Sequence, residues 1–198
     1  ISAALLYYSN WWQVVSEQSY FEMMNRPPLL QHLWSLAIEE QFYLLWPITL
    51  IVTASRLGRA GVLGAATLLT LATSSWMAYL AMQGNIPLEA DPNRLYLGTD
   101  THTSGLFAGA ILACLWNPWN RDALPRHRSG KLFALGAGIG GLAMLLAMFL
   151  LANETQSWLY RGGFLLVALS TSAVIIGVTT PDGAGARILG HQFLRYLG

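Results

Sequence analysis

The chain has 198 residues, 54% of them hydrophobic and 11% charged, with a net charge of +1. Soluble domains carry about 25% charged residues, so this composition excludes an ordinary aqueous globule and suits a lipid solvent. The lone Cys114 leaves no disulfide framework and no thiol cluster for a metal, and the charge pattern gives no support to nucleic acid as a partner.

The first residues, Ile1–Trp12, read as the last turns of a span whose beginning lies upstream. Five runs then meet the requirement of about 20 mostly apolar residues: about Leu33–Ala54, Ala60–Met82, Thr101–Trp116, Leu132–Ala152 and Gly162–Thr180. None alternates as a barrel strand would. The expectation is an all-α, polytopic transmembrane helical bundle, with five complete spans and part of a sixth. Residues 1–198 form one transmembrane domain in this reading, cut at both ends. The start at Ile1 lacks Met and a visible targeting peptide, and the end at Tyr196-Leu197-Gly198 is equally abrupt.

Lys and Arg collect on the cytoplasmic side of membrane proteins. Alternate connections hold Arg56 and Arg59, then Arg121, Arg126, Arg128 and Lys131, then Arg187 and Arg195. The intervening ones hold only Arg26, Arg94 and Arg161, a division of eight against three. Residues 16–30, 83–100 and 153–161 are therefore expected outside the cytoplasm. Trp11, Trp12, Tyr79, Trp116, Trp119, Trp158 and Tyr160 lie near the expected span ends, where belt aromatics belong. Gly136, Gly138, Gly140 and Gly141 superficially match a nucleotide loop, but they sit inside an apolar run with no preceding strand. Close helix packing is the better reading, for them and for the Gly105–Gly109 spacing.

The chemistry-bearing stretch follows Pro27-Pro28, which would let a helix start at Leu29 or Leu30. On that helix His32, Ser35, Glu39 and Tyr43 share one face, while Trp34, Ile38, Phe42 and Leu45 cover the other. Glu39 then lies about 10 Å deeper than His32, at about 1.5 Å per residue. An ionised carboxylate inside a bilayer is expensive, about 3 kcal/mol at its centre, and marks either function or pairing with a neighbouring helix. Glu40 points about 100° away from Glu39 and suits a structural, interface-facing role. Pro47 is expected to kink the helix beside the stripe.

This stretch resembles the acyltransferase-3 family of membrane O-acyltransferases. The resemblance rests on Asn10-Trp11, Tyr20-Phe21, His32, Trp34-Ser35-Leu36, Glu39, Gln41-Phe42-Tyr43 and Trp46-Pro47. Weaker matches are Arg94-Leu95-Tyr96 through Asp100-Thr101, Tyr160-Arg161-Gly162-Gly163, and the closing Leu194 to Gly198. His102 stands where the family usually has Arg.

The resemblance implies transfer of an acyl group, usually acetyl, from acyl-CoA to a hydroxyl of an extracytoplasmic glycan or glycolipid. Membrane lipid surrounds such proteins, and a bacterial inner membrane is implied as the location. It also implies that the chain is the middle of a longer domain of about ten spans, preceded by helices bearing the family's catalytic His and Arg.

Glu39 and His32 are the expected catalytic residues, with Glu39 orienting a partner or accepting the hydroxyl proton. Trp34, Ser35, Gln41, Tyr43, Asp100 and His102 are the expected substrate-binding set, and no bound cofactor or metal is expected. Ser35 is a weak nucleophile candidate, since a helical Ser more often bonds a backbone carbonyl. Asp100 or Thr99 has an alternative reading as an N-cap. The cluster Arg121, Arg126, Arg128 and Lys131 could meet CoA phosphates, but topology and anionic lipid explain it without a ligand and are the better reading. A proton-coupled transporter and a non-catalytic membrane scaffold are the rival readings; the transporter is weakened by the lack of an internal repeat.

Overall fold

The structure is a computed structural model that describes residues 2–16, 30, 32–118, 127–181, 183–190, 192 and 196. Tyr20-Phe21, Pro27-Pro28, Arg26, Gln31, Trp119, Arg121, Arg126 and Arg195 lie outside the described residues. The regular elements among the described residues are all helices, and no strand occurs among them.

Two compact units divide the chain: residues 1–107 with 153–164, and residues 108–152 with 165–198. In the first, α1 (Ser2–Leu5) and α2 (Ser9–Val15) stand where the end of one continuous span was expected. The break between them includes Tyr7, whose φ of 53° is left-handed.

Next comes α3 (Leu33–Gln83), 51 residues long and non-helical only at Gly58, with φ 63° and ψ −156°. Glycine tolerates this left-handed backbone, which side-chained residues rarely adopt. The two expected spans at Leu33–Ala54 and Ala60–Met82 are thus two arms joined at one glycine. A straight helix would hold Trp34 and Met77 about 65 Å apart. Instead Trp34 meets Tyr96 with ring centroids 4.8 Å apart, and Met77 packs in one cluster with Leu95. The arms therefore fold back at Gly58 and bring both ends of α3 to the same short segment.

That segment is α4 (Asn93–Leu97) and α5 (Thr99–His102), joined at Gly98. Leu95 is buried with Met77, Ala81, Ile86 and Tyr160, and Leu97 is buried with Trp34 and Ile38. A π-helical turn, Leu159–Gly163, returns the chain to this unit, with Gly162 at φ 149°.

The third expected span, Thr101–Trp116, is divided between α5 and α6 (Ser104–Leu115). The latter has 12 residues, about 18 Å of helix and too short to cross. Among the described residues, three helical stretches are long and apolar enough to cross a membrane: Leu33–Gln83, Arg128–Leu151 and Leu159–Thr179.

In the second unit, α7 (Arg128–Leu151) packs on α8 (Phe164–Thr179), and α9 (Ala184–Leu189) follows. A Cβ on Gly177 would fall 2.6 Å from Gly138 Cα, and one on Gly141 would fall 2.5 Å from the Ser170 carbonyl oxygen. Close approach is thus built on Gly138, Gly141 and Gly177. Gly136 and Gly140 have open space, and so do Gly105 and Gly109, so no tight packing occurs at the last pair among the described residues.

Candidate functional site

The helix bearing the expected site begins at Leu33, with His32 as its N-cap residue, rather than at Leu29 or Leu30. Its dihedrals stay helical through Pro47, the position of the expected kink, and leave the helical region at Gly58. With Trp34, Ala37 and Ile38 buried, the opposite face of the first turns carries the exposed His32, Ser35 and Tyr43 and the half-buried Glu39. The polar stripe is therefore real. Ser35 Oγ donates to the His32 carbonyl at 3.3 Å, the backbone bond anticipated for a helical serine. Leu45, expected on the covered face, is exposed.

The buried side of the same turns is tied to α2 and α5 by a polar knot. Gln41 Nε2 donates to the Tyr7 carbonyl at 2.7 Å and to Asn10 Oδ1 at 3.1 Å. Thr99 Oγ1 donates to Gln41 Oε1 at 2.6 Å. Asn10 Nδ2 in turn donates to the Leu97 carbonyl at 3.0 Å and to Thr99 Oγ1 at 2.9 Å. Asn10 is fully buried, and each arm of both amides is used within the protein. Gln41, one of the expected substrate-binding residues, makes these bonds to the chain itself.

Asp100 faces the second arm of α3. Its oxygens take both ends of the Arg94 guanidinium, at 3.0 and 2.7 Å, and the Trp76 indole N–H at 2.8 Å. The guanidinium carbon also lies 5.1 Å from the centre of the Trp11 ring, in cation–π range. Burial pushes the Asp100 carboxyl up, but the bonds from Arg94 and Trp76 and the Arg94 charge outweigh it and hold the group below its ordinary value. Neither Asp100 nor Thr99 caps α5, whose N-cap is Gly98 without a side-chain bond.

His102, at the end of α5, is surrounded by aromatic rings. Its centroid lies 5.4 Å from Trp34, 5.2 Å from Tyr96 and 5.2 Å from Phe164. Further along α3, Phe42 stacks on Trp46 at 5.7 Å, and both meet Phe107 edge-on.

Of the expected substrate-binding residues, the fold gathers Trp34 with His102 and places Gln41 and Asp100 in bonded networks nearby. It leaves Ser35 and Tyr43 on the open stripe with His32 and Glu39. Trp76, Thr99 and Phe164 were not singled out as site residues. The Arg94-to-Asp100 motif already held one ion pair in plain sight, whereas nothing in the local sequence ties Trp76 to Asp100. No cluster of potential metal ligands occurs among the described residues.

This geometry belongs to a sequence with informative relatives. Over 99% of its length the chain is 36% identical to the Peptidoglycan O-acetyltransferase OatA of Listeria monocytogenes, covering 31% of that protein. Over 99% of its length it is 33% identical to the O-acetyltransferase OatA of Staphylococcus aureus, again covering 31%. The chain thus spans about a third of the length of the curated relatives it matches. No family model matches it, and no solved structure matches it.

Proposed function

We propose that the chain is part of a bacterial membrane O-acyltransferase that moves acetyl from acyl-CoA to a hydroxyl of an extracytoplasmic glycan, with peptidoglycan as the leading acceptor. The observation that carries this reading is end-to-end similarity to proteins named O-acetyltransferases, with the similar motifs brought together in three dimensions. Asn10, Gln41 and Thr99 are far apart in sequence and bond one another directly. Trp34, Tyr96 and His102 likewise share one aromatic cluster.

In the transfer, the acetyl carbon–sulfur bond breaks as a carbon–oxygen bond to the glycan hydroxyl forms. The hydroxyl proton goes to a base, and the departing CoA thiolate takes a proton. Glu39 fits the task of receiving the proton or holding a cationic partner, because it lies half-buried on the open stripe about two turns from His32. The Gln41 knot fixes the turn on which Glu39 stands.

Full-length protein in membrane vesicles, supplied with labelled acetyl-CoA and peptidoglycan glycan strands, tests the reading. Acetyl esters on the strands are expected; labelled CoA turnover without glycan ester, or none at all, overturns it. Cysteines placed at Gln83 or Asn153, after Cys114 is replaced, test the orientation. They should react with an impermeant maleimide outside intact cells, while one at Gly130 should not.

A further inference from the structure

Trp76 and Tyr79 stand about one turn apart on the second arm of α3, their rings stacked with centroids 5.6 Å apart and planes 18° from parallel. Yet they are 43% and 48% exposed. The Trp76 ring is fixed by its indole N–H, which donates to Asp100 Oδ2 at 2.8 Å. The Arg94 guanidinium clamps the same carboxylate and lies over Trp11. Both side chains of this ion pair are 37% exposed. Arg94, Asp100, Trp76 and Tyr79 thus form one row, each member held by the next and each reachable from outside the protein.

A belt at the membrane surface accounts for exposed Trp and Tyr in general, but not for this arrangement. A half-open ion pair facing acyl chains would be costly, so the side of Trp76 that meets Asp100 faces water or a polar ligand. Tyr and Trp rings supply rigid, amphipathic contact area at small entropic cost. The bonds to Asp100 take two of the five N–H groups of a guanidinium, so the pair retains donors for hydroxyl oxygens. Aromatic surface beside a few placed polar groups is the make-up of a small-molecule site. A sugar, with apolar C–H faces and a rim of hydroxyls, matches both parts. The row also adjoins the polar stripe, because Thr99, next to Asp100, bonds Gln41, two residues from Glu39.

We propose that Trp76, Tyr79 and the Arg94–Asp100 pair form an acceptor subsite. The exposed surface of the ring pair carries the C–H face of one sugar of the glycan strand, and the ion pair engages that sugar's hydroxyls. This rests on the reading of the protein as a glycan O-acyltransferase and deepens it.

The test uses the full-length protein, acetyl-CoA and soluble uncross-linked peptidoglycan strands, with KM measured separately for donor and glycan. Tyr79→Ala should keep the parent's Tm, kcat and KM for acetyl-CoA. Its KM for the glycan should rise by about tenfold, the scale of truncating one aromatic anchor in an interface. Tyr79→Phe, which keeps the ring, should retain the parent's glycan KM. Added glycan strands should raise the Tm of the parent and of the Phe protein, and raise that of the Ala protein less.

A Tyr79→Ala protein with the parent's glycan KM and thermal shift overturns the inference. So does one in which both KM values and Tm change together, which makes the ring pair an anchor in the lipid headgroup layer. If the Ala protein does not accumulate, Tyr79→Leu takes its place under the same outcomes. An active parent with indifferent variants sinks this inference alone. A parent without transfer sinks the O-acyltransferase reading, and this inference with it.

Discussion

The Thr99 hydroxyl donates to Gln41 Oε1 at 2.6 Å across 58 positions of the chain. Because the Gln41 amide also donates to Asn10 Oδ1 and the Tyr7 carbonyl, one side chain pins the first arm of α3 to α2 and α5. Gln41→Leu strands these partners. It is expected to cost about 1–3 kcal/mol, the penalty for partly buried polar groups left unpaired. Thermal unfolding in detergent and the amount of protein in the membrane should both fall, and transfer should fall in parallel with them. Lost transfer at an unchanged Tm would mean that Gln41 touches substrate, as expected from its motif.

The glycines of α7 and α8 separate into two classes. A Cβ on Gly177 would meet Gly138 Cα at 2.6 Å, whereas one on Gly136 meets nothing within 4 Å. Gly177→Ala should therefore destabilise by about 1–3 kcal/mol through overpacking. Gly136→Ala should be neutral or stabilise by up to about 1 kcal/mol, since alanine favours helix. Equal Tm values for the two variants would contradict the close approach of the helices.

Asp100 should give the first unit an acid-sensitive component. Its folded value is depressed below the ordinary 3.8, so its contribution is present above that value and is lost as pH falls through the lower folded value. Unfolding midpoints should decline below about pH 4, the ordinary range for a carboxyl. Asp100→Asn should lower the neutral-pH midpoint and flatten that acid limb. An unaltered limb in the variant would assign it to other carboxylates.

Long apolar runs made the helices legible, and the polar stripe was legible because helical periodicity fixes which residues share a face. Ser35 behaves as local chemistry dictates. Turn-level detail was less accessible. The connection Ser55–Arg59 read as a loop between spans, but the reversal needs only the backbone of Gly58. At Pro47, where a kink was expected because proline removes a hydrogen bond, the helix dihedrals persist. Thr101–Trp116 is apolar enough to resemble a span, but it contains a separate short helix ending at His102. The site's internal bonds were the least visible, because Gln41 finds Thr99 and Trp34 finds His102 only after α3 has folded back. No local pattern encodes which of two polar residues faces the chain and which faces a substrate.

Glu39 and Glu40 are adjacent and chemically identical, and both are half-buried. They point about 100° apart on the helix, and only Glu39 lies on the stripe with His32, Ser35 and Tyr43. Replacing each with glutamine in the full-length protein, and measuring acetyl transfer from acetyl-CoA to peptidoglycan strands beside membrane level and Tm, tests the central claim most directly. Glu39→Gln should lower transfer by at least about a hundredfold, the lower end of general acid–base contributions. Abundance and Tm should stay at the parent's values, and Glu40→Gln should cost far less. Equal small losses in the two variants, or a Glu39→Gln protein whose activity falls only with its abundance, would contradict the assignment and make the stripe a surface for helix pairing.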